Sequence, residues 1–300
     1  MELRILQYFL AVAREQSISA AAESLHLSQP TLSVQLKALE EELGKQLLIR
    51  GTKGSRKVLL TDEGMILRKR AEEILTLVQK AKSEVQMTDA SIAGDVYIGA
   101  GETDIIRYFA RAAKRMKKSC PDVRYHISSG NAQFVTEQLD KGLIDFGLMY
   151  GPVDRTKYEA LTLPIGDRFG VLMRRDDPLA QKEWISPEEL RDKPLILSAQ
   201  DRSEGWTVSS QIRQDVSHLN VAATYNLIFN ASLMVEEGLG YAVCLDKLIN
   251  TSGDSRLCFL PLRPEIVITP SIVWKRYQVF SKASERFLQE LTSVMDLPQK

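Results

Sequence analysis

Ser28-Gln29-Pro30-Thr31-Leu32-Ser33 decides the reading of this chain, together with Ala20-Ala21-Ala22 before it and Leu39-Glu40…Leu43-Gly44 after it. Ser17 to Leu25 has the composition of a short helix packed through Ala21, Ala22 and Leu25, and His26-Leu27 is placed to turn the chain. Ser28 is a good N-cap, because its hydroxyl can accept an amide hydrogen left unpaired at a helix start. Gln29 and Pro30 fall in the first helical turn, where proline costs little. Leu32, Leu36, Leu39 and Leu43 follow at steps of four, three and four and mark one helical face, with Gly44 as its stop. Gln29, Thr31, Ser33, Val34 and Lys37 lie off that stripe. The pattern predicts a helix-turn-helix whose second helix starts with small polar side chains, which the major groove of a duplex admits and which can reach base edges.

The charge distribution agrees. Lys+Arg and Asp+Glu both number 39, so the net charge is zero and the whole chain does not read as a nucleic-acid binder. Between Gly44 and Val58, however, Lys45, Arg50, Lys53, Arg56 and Lys57 stand without an acid, around a turn marked by Gly51, Gly54 and Ser55. An isolated loop of this kind is a solvated surface; beside a recognition helix, a basic hairpin grips phosphates.

Three hundred residues suggest two or three domains, and 44% apolar with 26% charged residues is ordinary for a globular protein. No stretch approaches the ~18 uninterrupted apolar residues of a membrane span. The start lacks a basic segment, apolar run and small-residue cleavage site, so no secretion signal and a cytoplasmic location are expected. Cys120, Cys244 and Cys258 have no ligand-like spacing and fit a reducing compartment. His26, His126 and His218 are scattered. With no Gly-x-Ser-x-Gly, phosphate loop or paired histidines, the sequence argues against an enzyme and predicts neither a cofactor nor a metal site.

Residues 3–14 predict a first helix with Leu3, Leu6, Leu10 and Ala13 on one side. Thr61 can cap a helix running to about Met87, with Leu60, Gly64, Leu67, Ala71, Ile74, Val78, Ala81 and Val85 as a heptad seam that wants a partner, either the chain's own C-terminal domain or, the favoured reading, a second copy. Ser91 to Gly94 reads as a hinge. Beyond it, strands at 96–100, 123–127 and 144–149 alternate with helices over 104–118 and 132–141. A second series places strands near 168–173, 195–197, 221–225, 241–245, 257–260 and 266–275, with helices near 206–214, 231–237 and 281–294. This order predicts mainly parallel, helix-covered sheets. Ligands collect at the C-terminal strand ends and following helix starts of such sheets. Those places are Gly101-Glu102-Thr103-Asp104, Ser128-Ser129-Gly130-Asn131, Ser198-Ala199-Gln200-Asp201-Arg202, and Asn226 through Ser232 with Asn230. Each is also what ordinary helix capping produces; together they would line a pocket for a small polar molecule.

These residues carry a family resemblance. Leu6…Phe9…Val12-Ala13, Ser17-Ile18-Ser19-Ala20-Ala21-Ala22, Leu25…Leu27-Ser28-Gln29-Pro30-Thr31-Leu32-Ser33, Leu39-Glu40…Leu43-Gly44…Leu47-Leu48…Arg50 and Leu60-Thr61…Glu63-Gly64 resemble, in order and spacing, the winged-helix domain of LysR-type transcriptional regulators. The resemblance implies a winged helix-turn-helix over 1–60, a linker and dimerisation helix over 61–90, and an α/β effector-binding domain over 91–300. The last would resemble type-2 periplasmic binding proteins, with lobe I from 95–163 plus 267–300 and lobe II from 164–266. It implies double-stranded DNA, a small-molecule effector and a homodimer or homotetramer as partners. Carried onto this chain, the DNA contacts are Ser28, Gln29, Pro30, Thr31, Ser33, Lys37, Arg50, Lys53, Arg56 and Lys57. The effector contacts are Gly101, Glu102, Thr103, Ser129, Asn131, Ser198, Gln200, Arg202, Asn226 and Asn230. Two positions depart from the family. Val34 stands where many relatives carry an arginine, a loss of about 1 kcal/mol of backbone contact. Glu102 stands where hydroxyl residues are common; it would repel an anionic effector unless Arg202 or Arg107 balanced it, which leaves a neutral or cationic ligand, or an outward-turned cap, as alternatives.

Overall fold

The computed structural model describes residues 1–51, 57–85, 92–199 and 219–295. The chain forms two compact units, Met1–Gln86 and Met87–Lys300.

The first unit opens with α1 (Leu3–Glu15), α2 (Ile18–Ser24) and α3 (Gln29–Leu43). Leu6, Phe9 and Val12 form the buried face of α1; Leu3, expected inside, is exposed. Ser17 caps α2 through the Ala20 amide, and Ser28 caps α3 through the Thr31 amide at 3.2 Å. His26 makes the intervening turn in the left-handed region at φ 55°, a conformation histidine tolerates better than most side chains. Leu32, Leu36 and Leu39 are buried as the spacing requires, whereas Leu43 at the helix end is exposed. Gly44 terminates α3 at φ 63°, where a side chain would be strained.

A two-stranded antiparallel hairpin follows, β1 (Leu48–Arg50) with β2 (Val58–Leu60), registered Leu48 to Leu60. The long helix α4 (Asp62–Val85) follows it. Thr61 caps it by accepting the Gly64 amide at 3.0 Å, and its own hydroxyl donates to the Gln46 carbonyl at 2.7 Å. Gly64 has to be glycine: a Cβ there would lie 2.2 Å from the Leu47 carbonyl oxygen. The expected seam on α4 divides. Gly64, Leu67 and Ala71 turn inward in this single chain, with Leu67 packed on the core of the head, while Val85 is 85% exposed.

The second unit holds two sheets. The five-stranded sheet has the order β4-β3-β5-β13-β6. Its strands are β3 (Gly94–Ala100), β4 (Val123–Ser129), β5 (Phe146–Met149), β6 (Tyr158–Thr162) and β13 (Ser271–Lys275). The six-stranded sheet contains β7 (Asp167–Arg174), β8 (Leu195–Ser198), β9 (Val221–Tyr225), β10 (Tyr241–Leu245), β11 (Leu257–Pro261) and β12 (Val267–Ile268). The chain thus passes from the first sheet to the second between Thr162 and Asp167 and returns between Ile268 and Ser271. The sheets are mixed rather than mainly parallel: β3 runs parallel to β4 and β5, but β13 is antiparallel to both neighbours, and β7 is antiparallel to β10 and β11. The returning strands cause this, because a chain that leaves a lobe and comes back must enter in the opposite sense.

Helices α5 (Ile106–Met116), α6 (Ala132–Asp140), α7 (Ile228–Glu236) and α8 (Lys282–Met295) cover the sheets. Phe109, Phe146 and Phe287 form the centre of the first lobe, with Phe287 6.0 Å from each of the other two rings. Buried Asp145 ties α8 down by accepting the Ser284 hydroxyl at 3.1 Å and the Tyr97 amide at 2.8 Å. His126 is structural: it stacks on Tyr97 and bonds Asp95 at 2.7 Å. Burial would raise the Asp95 pKa; the hydrogen bonds from His126 and Arg124 outweigh it and hold the carboxyl below its usual range. The expected 266–275 strand is broken at Thr269-Pro270, α5 starts two residues late and α7 three residues early. The 206–214 helix and His218 lie outside the described residues.

The cysteines cannot pair. Cys244 on β10 faces Gly170 of β7, and Cys258 on β11 faces Met173 of the same strand, from its other side. Two strand spacings and three residues of rise put their Cα atoms about 14 Å apart, against a disulfide limit of about 7 Å, and they serve different apolar clusters. Cys120 is in the core of the other lobe. Burial, then the Asp246 charge, pushes the Cys244 thiol up to about 12. Peroxide treatment of the native protein is therefore expected to leave no intramolecular disulfide, as read by non-reducing peptide mapping, and a thiol reagent should reach Cys120 and Cys244 only after unfolding. A Cys244–Cys258 crosslink would contradict this sheet register.

Candidate nucleic-acid interface and ligand cleft

The first turn and a half of α3 presents its polar side chains outward. Ser28, Gln29, Pro30, Thr31, Val34 and Lys37 are exposed, and Ser33 is half-buried. The Ser28 and Thr31 hydroxyls lie 2.7 Å apart, and the Gln29 side-chain amide donates to the Ser33 hydroxyl at 3.1 Å. That bond leaves Gln29 one N–H and its carbonyl oxygen, the donor–acceptor pair that matches the edge of an adenine in the major groove. Lys37 leans on Glu41 at 3.4 Å, a surface pair that a phosphate can replace at little cost.

The hairpin is fastened to this helix by a residue not singled out from the sequence for a role. Glu40 accepts the Leu47 and Leu48 amides at 2.8 and 3.0 Å through one oxygen, and its other oxygen lies 3.5 Å from the Arg50 guanidinium. Arg50 and Lys57 flank the hairpin and are exposed; Lys53 and Arg56 lie outside the described residues. A polar residue on the buried side of α3, one position past Leu39, was the available signal for Glu40.

In the second unit three contacts join the four expected strand ends. Gly130 donates its amide to the Ala100 carbonyl at 3.0 Å, linking the loops after β3 and β4. Ser198 pairs with Tyr225, linking the ends of β8 and β9. Glu102 accepts the Ile228 amide, linking the first lobe to the first residue of α7. Thr103 is buried and donates to Asp167 at 2.5 Å, and the Tyr150 hydroxyl donates to the same carboxylate oxygen. Burial first, and then the Asp167 charge, raise the Tyr150 pKa, so this phenol stays protonated as a donor.

Several site residues are occupied by capping. Asn131 caps α6 through the Phe134 amide at 2.9 Å, and Asn226 holds the Leu227 amide at 3.0 Å. Ser129 and Asn230 are exposed, Gly101 is half-buried, and Gln200 and Arg202 lie outside the described residues. Arg107, a candidate counter-charge for Glu102, is paired instead with Asp104. Glu102 is not an outward cap of its own helix; it reaches across to the other lobe. Asp167 and Tyr150 were missed. Tyr150 directly follows β5 and obeys the same strand-end rule as the others, whereas Asp167, at the start of a crossing strand, offers no sequence signal. Among the described residues a further cavity of about 710 Å³ runs along the basic face of α5, lined by Arg107, Arg111, Lys114 and Lys118 with Lys247. It shares Asp167 with the strand-end site but includes none of the effector contacts expected from the sequence.

Two family patterns match. Residues 3–65 match the bacterial regulatory helix-turn-helix proteins of the lysR family, and residues 89–296 match the LysR substrate binding domain. The uncharacterized HTH-type transcriptional regulator YnfL of Escherichia coli K12 is 30% identical over 98% of this chain and 99% of its own. The transcriptional regulator AlsR of Bacillus subtilis is 34% identical over 69% of this chain and 66% of its own. Among solved structures, the LysR family regulator CbnR covers 99% of this chain and 100% of its own at a TM-score of 0.75 and 19% identity. CbnR complexed with its target DNA fits at a TM-score of 0.74. The described residues include no helix long and apolar enough to cross a membrane. With both halves matched and a relative aligned end to end, the chain belongs to the LysR family of DNA-binding transcription regulators.

Proposed function

We propose that Gln29, Thr31 and Ser33 read base edges of a cytoplasmic operator, with Pro30 against a thymine methyl and Ser28, Lys37, Arg50, Lys53, Arg56 and Lys57 on the phosphates. The observation that carries this is the Gln29–Ser33 hydrogen bond, which holds a bidentate amide at the exposed start of α3. A single head reads only a few base pairs, so two copies joined through residues 61–90 would read two half-sites of a roughly palindromic operator. The strand ends gathered around Glu102, Thr103 and Asp167 form the effector cleft, and a ligand there acts by preferring one arrangement of the lobes. The head (1–60), linker (61–90) and effector domain (91–300) divide these tasks.

An operator footprint with a salt titration tests the reading. Two heads that each neutralise about three to five phosphates give a log–log salt slope of roughly −5 to −9. Affinity that stays level from low to moderate salt would remove the phosphate contacts from the account.

A further inference from the structure

The start of α7 lacks a cap of its own. Leu227 stands at its N-cap with no side-chain acceptor, and the preceding Asn226 is committed to the Leu227 amide. Such a helix start presents unpaired amide hydrogens and the positive end of the peptide dipole, and so attracts an anion. That anion is part of the protein. Glu102, 126 positions away in the chain and in the other lobe, accepts the Ile228 amide through Oε2. Its neighbour Thr103 is fastened to Asp167 at the start of β7, so adjacent residues of one loop bind the second lobe at two points. Among the described residues no arginine or lysine pairs with Glu102; Arg107, in the first turn of α5, is taken by Asp104, and Arg202 lies outside the described residues.

We infer that Glu102 is a built-in substitute for a ligand carboxylate. It occupies the α7 start, holds the two lobes together there, and excludes a small carboxylate from that end of the cleft. The ligand end that faces α7 is therefore cationic or uncharged, an amine or a hydroxyl compound, which can use the remaining oxygen of Glu102. The inference deepens the effector-cleft reading and rests on it.

Chemical rescue of the full-length protein tests this. Glu102→Ala and Glu102→Ser remove the carboxylate and leave room for a free one; serine retains a hydroxyl if the alanine variant does not fold. The melting temperature of each is measured with and without propionate, with propylamine and propionamide as controls at equal ionic strength. Both variants are expected to melt lower than the parent and to be raised by propionate alone, through mass action on the folded state, with an affinity for propionate at least tenfold above that of the parent. A parent stabilised by propionate as strongly as the variants, or variants indifferent to it, would overturn the inference. The operator footprint is followed in the same samples. Rescued melting with an unmoved footprint upholds the role of Glu102 and removes the cleft from regulation.

Discussion

Replacing Gln29 and Ser33 together with alanine is expected to abolish operator discrimination while leaving general DNA affinity in place. Ser33 orients the Gln29 amide at 3.1 Å, so the two act as one reading unit and should be removed together. A good bidentate base contact is worth about 1–3 kcal/mol. Two heads on one operator double that to about 2–6 kcal/mol, a loss of roughly thirtyfold to more than ten-thousandfold in preference for the operator. The Ser28 cap and the buried Leu32, Leu36 and Leu39 are untouched, so α3 itself should remain folded. No cation is removed, so the salt slope and binding to scrambled duplex should match the parent. Fluorescence anisotropy with the footprinted operator and a scrambled duplex, at matched salt concentrations across a series, measures discrimination and slope together. A variant as selective as the parent would place base reading elsewhere.

Glu40→Ala is expected to give a large loss of stability in the amino-terminal unit. The carboxylate serves two backbone amides and the Arg50 guanidinium from a largely buried position, with only 15% of its side chain exposed. Hydrogen bonds to a charged group contribute about 1.5–3 kcal/mol each. Water will reach part of the vacated site, so a net loss of about 2–3 kcal/mol is the reasonable figure. In a unit of this size, Met1–Gln86, that lowers the melting temperature by about 10–20 °C. Glu40→Gln should lose less, because its amide oxygen still accepts from Leu47 and Leu48. Calorimetry of the three proteins decides the matter; an alanine variant within a few degrees of the parent would show that the hairpin is held without this anchor.

Where an element depends on its own residues, the sequence exposed it. The helix-turn-helix was legible because Ser17, Ser28 and Gly44 act on amides and carbonyls within the same turn. Elements set by distant contacts were not. Tyr158-Glu159-Ala160-Leu161-Thr162 contains good helix formers, yet it is a strand because β13 pairs along its whole length. The early start of α7 at Ile228 had no local signal, because its cap comes from Glu102. The late start of α5 follows from Thr103, whose hydroxyl takes the Ile105 amide at 3.1 Å and holds that segment in a turn. The cleft was legible as a set of strand ends but not as a set of partners. Asp167, which binds both Thr103 and Tyr150, lies on a crossing strand that no strand-end rule visits.

The position of β13 has a consequence for how the polypeptide is made. It is the second-last regular element of the described chain, yet it sits between β5 and β6 rather than at a margin. During synthesis the six-stranded sheet can assemble as soon as its contiguous stretch has left the ribosome. The five-stranded sheet must wait with a gap in its interior, and β6 has no neighbour until β13 arrives. A half-made lobe with open strand edges invites mispairing. A released chain truncated after Thr269, which keeps β7 to β12 and lacks β13, should therefore carry a finished second lobe beside a first lobe still sensitive to protease.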